Sequence, residues 1–203
     1  MNESFEGVEW WLIRHGLTEW NLQRKYQGHS DEDLLPGEAS GLTPLRSQLA
    51  GVSFARIYCS DLKRCRQTLD FIRPDLIGQA VYDSRLRELN FGAWEGKTYE
   101  MLQHDPLYRA WIEDPKLHTP PEGESWEEFQ SRVATFYREL VQISQELASK
   151  SDVNLKVMLI VTHGGVISML NTLMNPGTSF WDSRVSPGEI VKLKIHCNDL
   201  DRK

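Results

Sequence analysis

Hydrophobic positions along the chain follow two patterns. Dense apolar runs at Val8 to Ile13 and in "LKVMLIVT" (155–162) predict strands buried on both faces, and Ala55 to Tyr58 predicts a shorter one. "EIVKLKIH" (189–196) alternates polar and apolar residues, which predicts an edge strand open to solvent on one face. The helical pattern is clearest at Trp126, Phe129, Val133, Phe136, Leu140, Ile143 and Leu147, spaced alternately three and four. Ser125 and Glu128 form a capping box ahead of that helix. "CSDLKRCRQTLDFI" predicts a helix capped by Ser60 or Asp61, and "GGVISMLNTLM" one ended by Asn175 and Pro176. Pro36 and Gly37 open a weaker helix through Leu49, with Gly41 and Pro44 inside it, and residues 98 to 114 predict one or two short amphipathic helices. Strands alternating with helices predict an α/β protein with a mostly parallel sheet. No linker divides the 203 residues, so a single domain (1–203) is expected.

Composition narrows the function. A net charge of −6 argues against a nucleic-acid partner, because phosphate backbones demand a basic face. The strongest apolar run, Val157 to Val161, is far too short to span a bilayer, so no membrane partner is expected. The acidic start "MNESFE" lacks the basic character of a secretory signal, and Cys59, Cys65 and Cys197 form no C-x-x-C pair. A reduced, cytoplasmic protein fits these features. The six histidines show no metal-ligand spacing, so neither metal nor cofactor is expected. "GAWEGKT" (92–98) imitates a P-loop but is one residue short of the phosphate-cradling loop.

Two strands end alike, the first in Arg14-His15-Gly16 and the later one in Thr162-His163-Gly164-Gly165. In open α/β sheets ligands bind beyond the carboxyl ends of the strands. If these two strands are neighbours, His15 and His163 meet there, each followed by a glycine that lets backbone approach a ligand. The strand "ARIYCS" brings Arg64 to the same edge, at the first turn of its helix. Two arginines and two histidines in an acidic protein make a local positive well suited to a phosphate monoester. Any one of these residues alone is more often structural; the combination points to chemistry.

"LIRHGLTEWN" resembles the signature of the histidine phosphatase superfamily, the phosphoglycerate-mutase-like proteins. The resemblance continues in order through "YCSDLKRCRQT", "RLRELNFGAWEG", "GESWEEFQSRV" and "LIVTHGGVI". It implies a three-layer α/β/α fold and a metal-independent phosphomonoesterase working through a phosphohistidine. Carried over, His15 is the nucleophile, Arg14, Arg64 and His163 bind the transferring phosphoryl group, and Glu88 is the proton donor. Glu88 has an alternative reading, a surface salt bridge with Arg85 or Arg87. Asn21, Gln27, Gly28 and Gly164 match positions lining the substrate pocket. Where the family often has "LTxxGxxQA" this chain has "LLPGEASGL", a departure that bears on helix packing and not on the chemistry.

Within the family, "LNFGAWEGKTYE", "PPEGES" and "FWDSRVSPGEIVKLKI" look most like α-ribazole phosphatases of cobalamin synthesis and their broad-specificity relatives. The short segment between Glu88 and the long helix speaks against the mutases, which carry a longer insertion there. The expected partner is therefore a small-molecule phosphomonoester, α-ribazole 5′-phosphate. The alternatives are a broad-specificity phosphatase or a cofactor-dependent phosphoglycerate mutase. Residues 98–122 are expected to form a helical cap in which Tyr108 and Trp111 stack on the substrate's base. From Thr98 to Ser125 the only cations are Arg109 and Lys116, against six acidic residues, so the cap disfavours a substrate with a second anion.

Overall fold

A computed structural model describes residues 7–149 and 156–196. Its sheet is built from β1 (Gly7–Arg14), β2 (Arg56–Cys59), β3 (Val81–Tyr82), β4 (Val157–Thr162) and β5 (Ile190–His196). The order is β3-β2-β4-β1-β5, parallel throughout except for antiparallel β5 at the edge. Successive side chains on a strand face opposite ways, and here both faces are apolar. Val8, Trp10 and Leu12 of β1 join Met158 and Ile160 of β4 in one core cluster; Ile13, Leu159 and Val161 join the other. A strand buried on both faces has to read as a continuous apolar run. On β5, Leu193 and Ile195 are buried while Lys192 and Lys194 are exposed, as its alternation predicts. Leu155, the first residue of the "LKVMLIVT" run, lies outside the described residues, as does Cys197.

The helices cover both faces, giving the three layers. In chain order they are α1 (Glu19–Leu22), α2 (Thr43–Leu49), α3 (Lys63–Ile72), α4 (Tyr99–Leu102), α5 (Pro106–Glu113), α6 (Trp126–Ala148) and α7 (Gly164–Met174). Leu45 and Leu49 of α2 pack with Cys65, Leu69 and Ile72 of α3 under one face. Phe129, Val133, Phe136 and Leu140 of α6 pack with Val166 and Ile167 of α7 under the other. The Ser125–Glu128 capping box is formed in both directions. The buried indole nitrogen of β1 is satisfied here: Trp10 Nε1 donates to Ser144 Oγ on α6 at 3.0 Å.

Two helix starts differ from expectation. The segment from Pro36 to Leu49 is not one helix. A 3-10 turn (Gly37–Ser40) stops where Gly41 takes φ +74°, and α2 restarts at Thr43 with Pro44 in its first turn, where a missing N–H costs nothing. Helix α3 is capped by neither Ser60 nor Asp61, because both are used elsewhere. Ser60 Oγ lies 3.0 Å from His163 Nε2, and Asp61 pairs with Arg87 at 2.5 Å. The N–H of Lys63 donates instead to Asp31 Oδ1, 2.6 Å away on a distant loop.

Residues 98–122 hold α4, α5 and a Pro-rich loop, and here the sequence expectation needs correcting. Tyr108 and Trp111 face inward, 1% and 7% exposed, in an aromatic cluster with Tyr26, Phe91 and Trp94. The Tyr108 hydroxyl is taken by Tyr26 Oη at 2.6 Å. Large aromatic faces gain more from mutual burial than from waiting in water, so these rings are core and are not available to a ligand.

Candidate active site

Because β1 and β4 are paired with Arg14 opposite Thr162, the residues that follow them emerge side by side. The rings of His15 and His163 are 5.2 Å apart between centroids, and both are buried. The His15 N–H extends the ladder by donating to Thr162 O at 2.9 Å, so the residue sits on rigid sheet. Its Nδ1 lies 2.7 Å from the Gly16 carbonyl oxygen. A carbonyl only accepts, so Nδ1 carries the proton and Nε2 keeps its lone pair. Burial, followed by the charges of Arg64 and Arg14, holds the His15 pKa well below 6.5 despite the Gly16 bond. The ring is thus a neutral imidazole with a free nitrogen, the form a nucleophile needs. The glycine behind it serves packing: a Cβ on Gly16 would come within 2.9 Å of Ser40 O and 2.8 Å of Leu42.

Arg64, in the first turn of α3, is fully buried. Its Nη1 donates to Ser30 O at 2.7 Å, and its Nη2 to Gly28 O at 2.6 Å and to His163 Nδ1 at 3.1 Å. None of these partners is an anion. An isolated buried charge costs on the order of several kcal/mol, so a cation kept this way implies an anion that visits. His163 accepts from Arg64 at Nδ1 and therefore carries its proton on Nε2, facing Ser60 Oγ. Arg14 Nη1 donates to Val185 O at 2.6 Å, which ties the end of β1 to the segment before β5. Among the described residues three buried side-chain polar atoms lack a hydrogen-bond partner: Arg14 Nε, Arg64 Nε and Gln27 Nε2. All three are donors, and all three belong to residues that the sequence picked out.

Gln27 Oε1 accepts from Thr18 Oγ1 at 2.8 Å, and Asn21 closes a capping box with Thr18 at the start of α1. Gly28 lies against protein: a Cβ there would sit 2.3 Å from Leu89 O. What it presents to the site is its carbonyl, holding Arg64. Glu88 accepts from the Gly165 N–H through Oε2 and from the Leu89 N–H through Oε1, both at 2.9 Å. The salt-bridge alternative fails because its arginines are engaged elsewhere, Arg85 with Asp83 and Glu139, Arg87 with Asp61. Gly164 stands beside Arg14, where an added Cβ would make an ordinary 3.5 Å contact with Nε.

Three contributors went unread in the sequence. A Cβ on Gly165 would lie 2.2 Å from Glu88 Oε1, so this glycine, more than Gly164, sets the site's shape. Arg132 on α6 donates to the carbonyls of Arg85, Arg87 and Glu88 and pairs with Glu124, fixing the loop that carries Glu88. Glu95 accepts from the N–H groups of His29, Ser30 and Phe91, which holds the loop bearing Gln27 and Gly28 against residues 89–91. The only available signal was their place inside the resembling blocks. A cleft of about 500 Å³ opens over the site, bordered by Arg14, Glu88, Gly164, Gly165, Phe180 and Trp181 among others.

The pattern of the histidine phosphatase superfamily (branch 1) matches residues 10–200. The chain belongs to this superfamily. It is 34% identical over 185 residues to an adenosylcobalamin/α-ribazole phosphatase of Salmonella typhimurium, covering 88% of this chain and 86% of that one. The protein of the same description from Escherichia coli K12 is 31% identical over 182 residues, covering 88% and 85%. The crystal structure of the α-ribazole phosphatase from Shigella flexneri superposes with a TM-score of 0.79 at 30% identity, covering 91% and 89%. As a histidine phosphatase the chain is a hydrolase of phosphate esters. Among its described residues no helix is long and apolar enough to cross a membrane.

Two expectations follow for this histidine phosphatase. Gly165→Ala should push Glu88 aside and lower kcat/KM about 100-fold, a typical cost of misplacing a reacting group by about 1 Å. Gly164→Ala should cost far less, and steady-state kinetics of the pair decides whether the contact at Gly165 matters. The second concerns pH. Burial and then Arg64 lower the His163 pKa well below 6.5, as burial and the same charge do for His15. Unfolded histidine takes up protons that the folded sites refuse. This stability is complete above about pH 6.5 and is lost as pH falls toward the folded pKa values. Thermal melts from pH 8 to pH 5 should therefore show a falling Tm, shallower in a His163→Gln variant.

Proposed function

We propose that the chain hydrolyses α-ribazole 5′-phosphate in two steps through a phosphohistidine on His15. The observation carrying the reading is the trio of unpartnered buried donors, Arg14 Nε, Arg64 Nε and Gln27 Nε2, two of them on the arginines whose charges act on the neutral His15 imidazole. Unpaired buried donors cost stability, and a phosphoryl group is the acceptor-rich ligand that repairs them. The similarity to α-ribazole phosphatases supplies the leaving group.

In the first step His15 Nε2 attacks phosphorus and the ester P–O bond breaks. Glu88 gives its proton to the departing 5′-oxygen, releasing α-ribazole. In the second, water attacks the phosphohistidine and returns a proton to Glu88, while the N–P bond breaks to regenerate neutral His15 and phosphate. Arg14 and Arg64 spread the charge on the equatorial oxygens, and Asn21 steadies Gln27 through Thr18, whose hydroxyl accepts from the Asn21 N–H and donates to Gln27 Oε1. His163, held at Nδ1 by Arg64 and facing Ser60 through Nε2, backs the same pocket.

The test is a comparison of substrates. Purified protein should hydrolyse α-ribazole 5′-phosphate with a kcat/KM about 100-fold or more above that for 3-phosphoglycerate, and should produce no phosphoglycerate isomer. Similar efficiency on both, or isomerisation, would refute the assignment.

A further inference from the structure

The substrate proposed above carries a flat heteroaromatic base, and Tyr108 and Trp111 are too buried to receive it. The cleft has another aromatic wall. Phe180 and Trp181 line it together with Arg14 and Glu88. Trp181 is 53% exposed, and its ring stacks on Trp126 at 5.8 Å and 30°, leaving about half of the residue open to solvent. Phe180 meets Trp126 edge-on at 4.8 Å and Trp181 at 4.7 Å, so the three rings brace one another.

A single exposed tryptophan signifies little, since folded surfaces are largely apolar. This one is held in place from several sides. Ser179 and Asp182 cap the turn that carries it, with Ser179 Oγ accepting from the Trp181 N–H. Ser168 and Asn171 of α7 bind Ser183 at its O and Oγ, at 2.7 and 2.9 Å. Two residues on, Val185 O accepts from Arg14 Nη1. The aromatic wall and the phosphate-facing guanidinium are thus fixed to one another through a single short segment. A rigid, half-open indole beside an anion hole matches a ligand with a charged end and a flat end.

We infer that Trp181, braced by Trp126 and Phe180, is the specificity residue that stacks on the base of a phosphorylated nucleoside-like substrate. The inference rests on the phosphatase reading above and deepens it. Its prediction is selective: removing the indole face penalises substrates that have a base relative to those without one.

The experiment compares α-ribazole 5′-phosphate with ribose 5-phosphate, which shares the phosphate and sugar and lacks the base. Wild type should prefer the base-bearing substrate, mainly through a lower KM. In Trp181→Ala and Trp181→Leu the ratio of the two kcat/KM values should fall about tenfold, and Trp181→Phe should retain most of it. An unchanged ratio in the Ala and Leu variants, or equal loss on both substrates in the two of them, would overturn the stacking role while leaving the phosphatase reading intact. A wild type that hydrolyses neither compound would instead overturn the phosphatase reading on which this one depends.

Discussion

His15→Ala should lower phosphatase turnover by on the order of 10⁴–10⁶-fold, as loss of a covalent nucleophile does. Position is part of the reason. His15 is fixed by the sheet ladder through its backbone and by Gly16 O through Nδ1, so the lone pair on Nε2 is held in one direction. His163 cannot substitute, because its Nδ1 is engaged by Arg64 and its Nε2 faces Ser60. Wild type quenched during turnover should hold phosphate on a histidine, in an adduct stable to base and labile to acid, and the variant should hold none. Turnover by the variant within tenfold of wild type would remove His15 from the mechanism.

Glu88→Gln should divide substrates by leaving group. An alkoxide departs poorly without a proton, whereas a nitrophenolate hardly needs one. General acid catalysis contributes about 10²–10⁴-fold, so alkyl phosphates should lose that much and p-nitrophenyl phosphate far less. Glutamine keeps the oxygen that accepts from one backbone N–H but cannot release a proton, which makes it the fair substitution. Hydrolysis rates on both substrates decide the matter. Equal losses would reduce Glu88 to a binding group and move the search for the acid elsewhere.

The sequence revealed the sheet and the anion pocket for the same reason. A strand buried on both faces must be apolar along its length, so its abrupt end in Arg14-His15 was conspicuous. Helix α6 announced itself through its three-four spacing and its own Ser125 cap. Where partners are distant the signal vanished. The cap of α3 comes from Asp31, and Ser60 and Asp61, the local candidates, were claimed by His163 and Arg87. Arg132 and Glu95 act on backbone, and Gly165 on the Glu88 carboxyl, that only the fold brings near. Tyr108 and Trp111 misled because an aromatic beside a polar loop looks the same in sequence whether it packs inward or waits for a ligand. Trp181, in a short turn without periodicity, gave no hint of its surroundings.

The three orphaned donors also govern how the protein behaves at rest. Each is a standing deficit in the folded state, and the product of the reaction is a tetrahedral anion that can make it good. Inorganic phosphate should therefore be both brake and buttress, slowing turnover by occupying the pocket and stabilising the fold by about 2.7 kcal/mol at a hundred times its Kd. Enzyme kept in phosphate buffer and enzyme kept in an amine buffer are in this sense two different preparations. The first is sturdier and sluggish, the second more easily unfolded and quick.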